Sequence, residues 1–257
     1  MKTYLIIIIA AVFMVLTHLT GATQADDTTI TITGQTAGAT PFISNLTLNV
    51  SNTSVLKSIQ FAIDPKPNSV TRPLSGTYSN DYLVRRGFEH SPEIILPVYG
   101  LYDEYTNTIR LTYRFLDGSS KETVTSFTTA TFDDPCGYKN PTILKARTHT
   151  TDLSYDYIMV KGSCGSFQPA IIDTDGAPRW VGSAGLSGGN ATFFDNAAYL
   201  GHDHHLTRRD LDGTVTVVGD YSSLGHHNID RGKVGIILDA DTESISTPRL
   251  NFERFPA

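Results

Sequence analysis

Polar and apolar residues alternate with period two over residues 28–34, 44–50 and 55–63, which predicts half-buried strands. Pro65, Pro67 and Asn68 break the pattern, and 64–90 reads as a turn-rich segment. Two more strands are predicted over 93–99 and 106–115, with the turn between them at 100–105. Asp117-Gly118 is a hairpin signal, and 121–130 supplies its return strand. About seven short strands in roughly 110 residues predict an immunoglobulin-like β-sandwich over 26–132.

Asp133-Asp134-Pro135 marks a domain boundary. Beyond it, residues 155–161 are expected to pair with 167–173, followed by the turn Asp175-Gly176 and a strand over 178–181 that carries Trp180. Further strands are predicted over 192–200, 204–210, 215–220 and 233–239, with a turn at Asp212-Gly213. Four-stranded units punctuated by Asp-Gly turns predict propeller blades. At about 40–45 residues per blade, residues 140–257 hold fewer than three. The predicted fold class is therefore all-β: an immunoglobulin-like sandwich followed, over 133–257, by an incomplete β-propeller of about two to three blades. Open strand edges invite self-association, so a homo-oligomer is a further expectation.

Composition narrows the function classes. The chain is 40% hydrophobic and 10% aromatic, enough for a packed core. A formal net charge of -6 leaves no basic footprint, so nucleic acid is not an expected partner. Lys2, an apolar run over 4–16 and the small residues before Thr23-Gln24-Ala25 make a secretory signal peptide over 1–25. That run is shorter than the roughly 20 residues a membrane helix needs, so no stable membrane insertion is expected after cleavage. The expected location is periplasmic or secreted. Cys136 and Cys164 are the two cysteines, and export makes a structural disulfide between them the expected state. It would close a loop of about 27 residues.

Candidate chemistry is sparse. His226-His227 is one cluster, and His202-Asp203-His204-His205 is another. Alternation puts His202 and His204 on one strand face, where they could hold Zn²⁺, but no third ligand has supporting spacing. An exposed polar hairpin is the favoured reading of that cluster, with no metal and no cofactor. Arg208 and Arg209 point oppositely along a strand and read as surface residues; Arg85 and Arg86 read as solvated or inter-domain charges. Asp64, Asp81 and Glu93 have no spacing for paired carboxylates. No nucleophile elbow, phosphate loop or dinucleotide fingerprint occurs.

Four separated strings carry a resemblance. HSPEIILPVYGLYDEYTNTIRLTYRFLDG, through Pro97, Val98, Gly100, Leu101, Tyr102, Asn107 and Thr108, resembles the N-terminal domain of bacterial aryl-sulfate sulfotransferases. AIIDTDGAPRWVG and RRDLDGTVTVV resemble the opening strings of that family's propeller. GHHNIDRGKVGIILDADT resembles its "His-His-Asp-Ile" string, with Asn228 where the family has Asp. The resemblance runs in order over 28–245. It implies a periplasmic enzyme with a sandwich and a six-bladed propeller. Such an enzyme moves a sulfuryl group from a phenolic sulfate ester to a phenol acceptor, without a nucleotide donor, through a sulfated histidine. A spread anionic transition state calls for positioned cations and donors, and an imidazole can be nucleophile or acid.

Carried over residue by residue, the resemblance reaches His226 and His227 as catalytic candidates. His227 is assigned to the channel, because neighbours on a strand face opposite ways; the alternative is that both only cap a loop. In the family the nucleophilic histidine lies in later blades, so the chain is expected to be the N-terminal portion of such an enzyme. The other reading is a non-catalytic, exported β-rich binding or assembly module derived from a truncated relative.

Overall fold

The computed structural model describes residues 27–148, 153–161, 169–181, 190–202, 205–220, 225–232 and 236–240. The predicted signal peptide and Cys164 lie outside them.

The first region contains eight strands in two antiparallel sheets. They are β1 (Ile30–Ala37), β2 (Ile43–Val50), β3 (Leu56–Ile63), β4 (Leu74–Ser79), β5 (Glu89–His90), β6 (Glu93–Tyr99), β7 (Thr106–Phe115) and β8 (Ser120–Thr128). One sheet has the order β1-β2-β6-β5 and the other β4-β3-β7-β8. Alternation sets which face is buried: along β7, Asn107, Ile109, Leu111, Tyr113 and Phe115 point inward. These meet Leu46, Leu48, Phe61, Leu96 and Val98 in one contiguous core. The register is firm because a one-residue slip would turn that whole set to solvent. Tyr113 faces Ile59 across the β3–β7 ladder and Lys121 across β7–β8.

The segment 64–90, expected to be turn-rich, holds β4, β5 and the helix α1 (Asn80–Arg85). Ser79 caps α1 by accepting a hydrogen bond from the Tyr82 amide at 3.1 Å, with Asp81 in the first turn and Arg85 in the last. Six residues are too few to show helical periodicity, so only the cap signal was available in the sequence. The function of α1 in the fold is to deliver Arg86, its C-cap, to the second region.

The second region is a series of antiparallel meanders. β9 (Tyr157–Val160), β10 (Ala170–Asp173) and β11 (Pro178–Val181) form a sheet of order β11-β10-β9. β12 (Asn190–Phe194), β13 (Ala197–His202), β14 (His205–Asp210) and β15 (Val215–Asp220) form a four-stranded sheet in sequence order. β16 (Gly225–Arg231) pairs with β17 (Ile236–Ala240) and also packs against β12 and β13. The single strand expected over 192–200 is two strands. Asp195 and Asn196 take positive φ of 50° and 56°, the two-residue hairpin geometry that short polar side chains tolerate. β16 was absent from the predicted strands.

Three small clusters of buried apolar residues lie in the second region, and two of them join it to the sandwich. Phe42 and Phe132 pack with Ala170 and Val181. Ile43 of the sandwich packs with Trp180, Ala191, Ala198 and Leu200. Ala197, Tyr199 and Leu206 pack with Ile229 of β16. Among the described residues, no helix is long and apolar enough to cross a membrane.

Candidate functional site

Three of the sequence strings that carried the resemblance, those around Gly100, Asp173 and Asp210, meet in space at the seam between the two regions. The turn after β6 supplies Gly100, Leu101 and Tyr102. Asn107, fully buried at the second position of β7, holds it in shape. Its Oδ1 accepts from the Tyr102 amide at 2.9 Å, and its Nδ2 donates to the carbonyls of Tyr102 and Tyr105 at 2.9 and 3.0 Å. From the other side comes Arg179 on β11, 1% exposed. Its Nε donates to the Gly100 carbonyl at 2.8 Å and its Nη1 to Asp173 Oδ2 at 3.1 Å. Its guanidinium lies 3.7 Å from the centre of the Tyr102 ring. Lys66 sits 4.7 Å from the centre of that ring.

Two Asp-x-Asp-Gly turns grip the sandwich in parallel ways. In each, the glycine amide donates to the first aspartate's carbonyl, and the glycine takes positive φ (88° at Gly176, 91° at Gly213). At the β10–β11 turn, Asp173 Oδ1 accepts from the Ala177 and Asp175 amides at 2.8 and 3.1 Å. Asp175 there accepts from the hydroxyls of Ser69 and Thr71. At the β14–β15 turn, Arg86 of the sandwich reaches Asp210 at 3.0 Å and Asp212 at 3.6 Å. Arg86 is thus an inter-domain charge, one of the two roles expected for it. A further carboxylate, Asp156, pairs with Arg72 and Arg147.

Burial and partners split these carboxylates. Burial pushes Asp173 above the usual carboxylate range, outweighing the Ala177 amide and Arg179. Burial would also raise Asp156 and Asp175. For Asp156, hydrogen bonds from Arg147 and Arg72 overcome it; for Asp175, those from Ser69 and Thr71 do, so both sit below their usual value.

A cleft of about 370 Å³ opens beside this clasp, walled by Tyr99, Tyr157, Met159, Arg179, Trp180 and Phe193. Burial drives the Tyr99 and Tyr157 hydroxyls up to about 12, so both are neutral donors near pH 7. A second cleft of similar size shares Tyr99, Asn196 and Leu211 with the first and is more polar, with Tyr78, Tyr82, Arg208 and Asp212 in its walls.

The expected site residues fall as follows. His226 and His227 lie on β16, where the pairing with β17 is irregular between Gly225 and Ile229. Their side chains, with those of Asn228 and His202, lie outside the described set, as do Asp203 and His204. His202 and His205 are cross-strand partners at the β13–β14 hairpin. His205 Nδ1 is 2.6 Å from Asp220 Oδ1 in an exposed pair. Among the described residues no cluster of His, Cys, Asp or Glu could hold a metal ion. The surface role expected for Arg209 is wrong: it is 1% exposed, and burial lowers its pKa. Arg208 is partly buried, donating to Tyr199 Oη and Asp210 at 2.9 Å. Arg209 is enclosed and Arg208 is held by Tyr199 and Asp210 of its own sheet, which period-two reasoning about an isolated strand does not reveal. Sequence reasoning also missed Arg179, although its place after Asp-Thr-Asp-Gly was visible.

No curated protein matches the chain. Residues 41–130, from just before β2 to just after β8, match the family model described as the arylsulfotransferase Ig-like domain. The sandwich of this chain is accordingly an arylsulfotransferase N-terminal Ig-like domain.

Proposed function

We propose that the protein is an arylsulfotransferase, or the N-terminal portion of one, exported to the periplasm or secreted. The observation that carries this reading is the match of the sandwich to the arylsulfotransferase Ig-like domain. Two others support it. The β12–β15 meander in sequence order, with β16 packed beside β12, supports the reading of this region as propeller blades. The His226-His227 string sits on β16, the strand packed beside β12.

In this reading the sulfur–oxygen bond of a phenolic sulfate ester breaks as sulfur bonds to an imidazole nitrogen. The phenolate leaves with a proton from a neighbouring acid. The phenol acceptor then takes the sulfuryl group and gives up its proton. His227, with His226, supplies or accepts a proton, or donates a hydrogen bond to the sulfuryl oxygens, near neutral pH. A Cys136–Cys164 disulfide holds the segment that leads into β10.

The test is release of 4-nitrophenolate from 4-nitrophenyl sulfate by the full chain, with and without phenol. The expected result is phenol-dependent release that falls at least about 100-fold in His227→Ala. No release, either from this chain or from a protein that carries it together with the later blades, overturns the reading and leaves a non-catalytic module.

A further inference from the structure

We infer that the outer edge of β9 is a docking site for one further antiparallel strand, supplied by a segment of the same polypeptide that follows β17. The inference rests on the blade reading of the second region and uses nothing of sulfuryl transfer.

The first two meanders are one unit built twice, and the first copy is a strand shorter. The β10–β11 turn repeats the β14–β15 turn bond for bond. The Asp173 amide donates to the Ala177 carbonyl and the Gly176 amide to the Asp173 carbonyl, both at 2.9 Å. The Asp210 amide donates to the Thr214 carbonyl at 2.9 Å and the Gly213 amide to the Asp210 carbonyl at 3.0 Å. So β10 corresponds to β14 and β11 to β15. Asp173 faces Tyr157 on β9 as Asp210 faces Ala197 on β13, so β9 corresponds to β13. On its other side β13 pairs with β12, whereas β9 is an edge strand among the described residues.

The register identifies what sits on such an edge. Ala197, Ala198, Tyr199 and Leu200 of β13 lie opposite Phe194, Phe193, Thr192 and Ala191 of β12, and all four are buried. Their counterparts Tyr157, Ile158, Met159 and Val160 are as apolar, yet none is buried and Ile158 is 43% exposed. The backbone points the same way. The Asp156 carbonyl accepts from the Thr174 amide at 2.9 Å, so by alternation the amides and carbonyls of Tyr157 and Met159 face away from β10. An apolar edge with its hydrogen-bonding groups turned outward takes an extended chain. The occupant is therefore a strand of the β12 kind. Its source follows from the rest of the chain. Residues 1–25 read as a signal peptide, and 133–148 hold no strand, with Pro141 and Ile143 lying against Gly176 at the β10–β11 turn. The connections between β9 and β17 are tied at both ends, which leaves the polypeptide that follows β17.

The test is amide hydrogen exchange on the protein isolated at its native length. The Tyr157 and Met159 amides should exchange within about tenfold of those of Ala197 and Tyr199, their counterparts on β13. Exchange more than about tenfold faster than those counterparts overturns the proposal. Met159→Pro sharpens the test, because it removes an outward N–H that β10 does not use, and an open edge tolerates proline there. With a strand docked, the substitution should speed exchange at Tyr157 at least about tenfold; unchanged exchange at Tyr157 overturns the proposal. The donor is identified by placing the photocrosslinker p-benzoylphenylalanine at position 158 and mapping the product by mass spectrometry. A crosslink to a residue beyond 240 of the same polypeptide supports the proposal, and a crosslink to a second copy or to another protein overturns it. Protected amides in a protein that transfers no sulfuryl group leave this inference standing while the proposed function fails, and turnover with fast-exchanging amides does the reverse.

Discussion

The two regions of this molecule are built on the same antiparallel pairing but are held together by different means. In the sandwich, nineteen buried side chains from both sheets form one core. In the meanders, the buried apolar residues fall into clusters of four or five, and two of the three clusters include a sandwich residue, Phe42 or Ile43. What the meanders lack in core they gain in charge: Arg86, Arg147 and Arg179 pair with Asp210, Asp156 and Asp173. The sandwich stabilises itself by removing apolar area from water. The meanders rely on polar turns whose aspartates also take partners from the sandwich: Arg72 for Asp156, Ser69 and Thr71 for Asp175, Arg86 for Asp210.

The largest expected effect lies in the shared core. Phe61→Ala, at a site with no exposure, should cost about 4 kcal/mol and unfold both regions together, read as the shift in a urea midpoint. Arg179→Met probes the clasp. It leaves the Asp173 carboxylate buried without its cation and should cost about 3 kcal/mol, with the loss seen first in Trp180 emission.

Acid should separate the two regions next. Asp156 and Asp175 have lowered pKa values in the folded state, so their stabilisation is present above the unfolded value of about 3.9 and is lost as pH falls through the lowered values. Asp173 works oppositely: its pKa is raised, so it favours the fold at low pH and weakens it as pH rises through that value. Below about pH 4, Trp180 emission should change before the tyrosine signal of the sandwich, and Asp156→Asn should flatten that change. A single cooperative acid transition in both probes would break the comparison.

Arg86→Ala removes a partly exposed pair to the β14–β15 turn and should cost about 1 kcal/mol, less in high salt. His205→Ala is the smallest: its pair with Asp220 is exposed on both sides, and the midpoint should move by no more than about 0.5 kcal/mol.

How much of this was legible in the sequence follows the same division. Strands β2, β3, β6 and β7 are long and alternate cleanly, because each has one face on a deep core. Their predicted limits agree with the structure to within a residue. β4 and α1 were hidden: Gly76 and Ser75 weaken the strand signal, and α1 is a single capped turn and a half. In the meanders, Asp175-Gly176 and Asp212-Gly213 were readable as turns, whereas the Asp195-Asn196 hairpin lacked a glycine and was missed. The burial of Arg179 and Arg209 was not legible, because it depends on which sheets stack on them. The family resemblance was carried by residues that build the seam. Gly100, Tyr102, Asn107 and Asp173 shape the clasp, which explains why the strings stood out while the candidate chemistry at His226 and His227 rests on two side chains alone.

The claim that the meanders lean on a self-sufficient sandwich is tested most directly by native-state hydrogen exchange on the full chain with and without Arg86→Ala. The account predicts that amides of Leu48, Phe61 and Leu111 exchange only through global unfolding, while those of Leu200 and Leu206 exchange through a cheaper opening that the substitution makes faster. Equal protection in both regions, with the substitution accelerating all five amides alike, would contradict it.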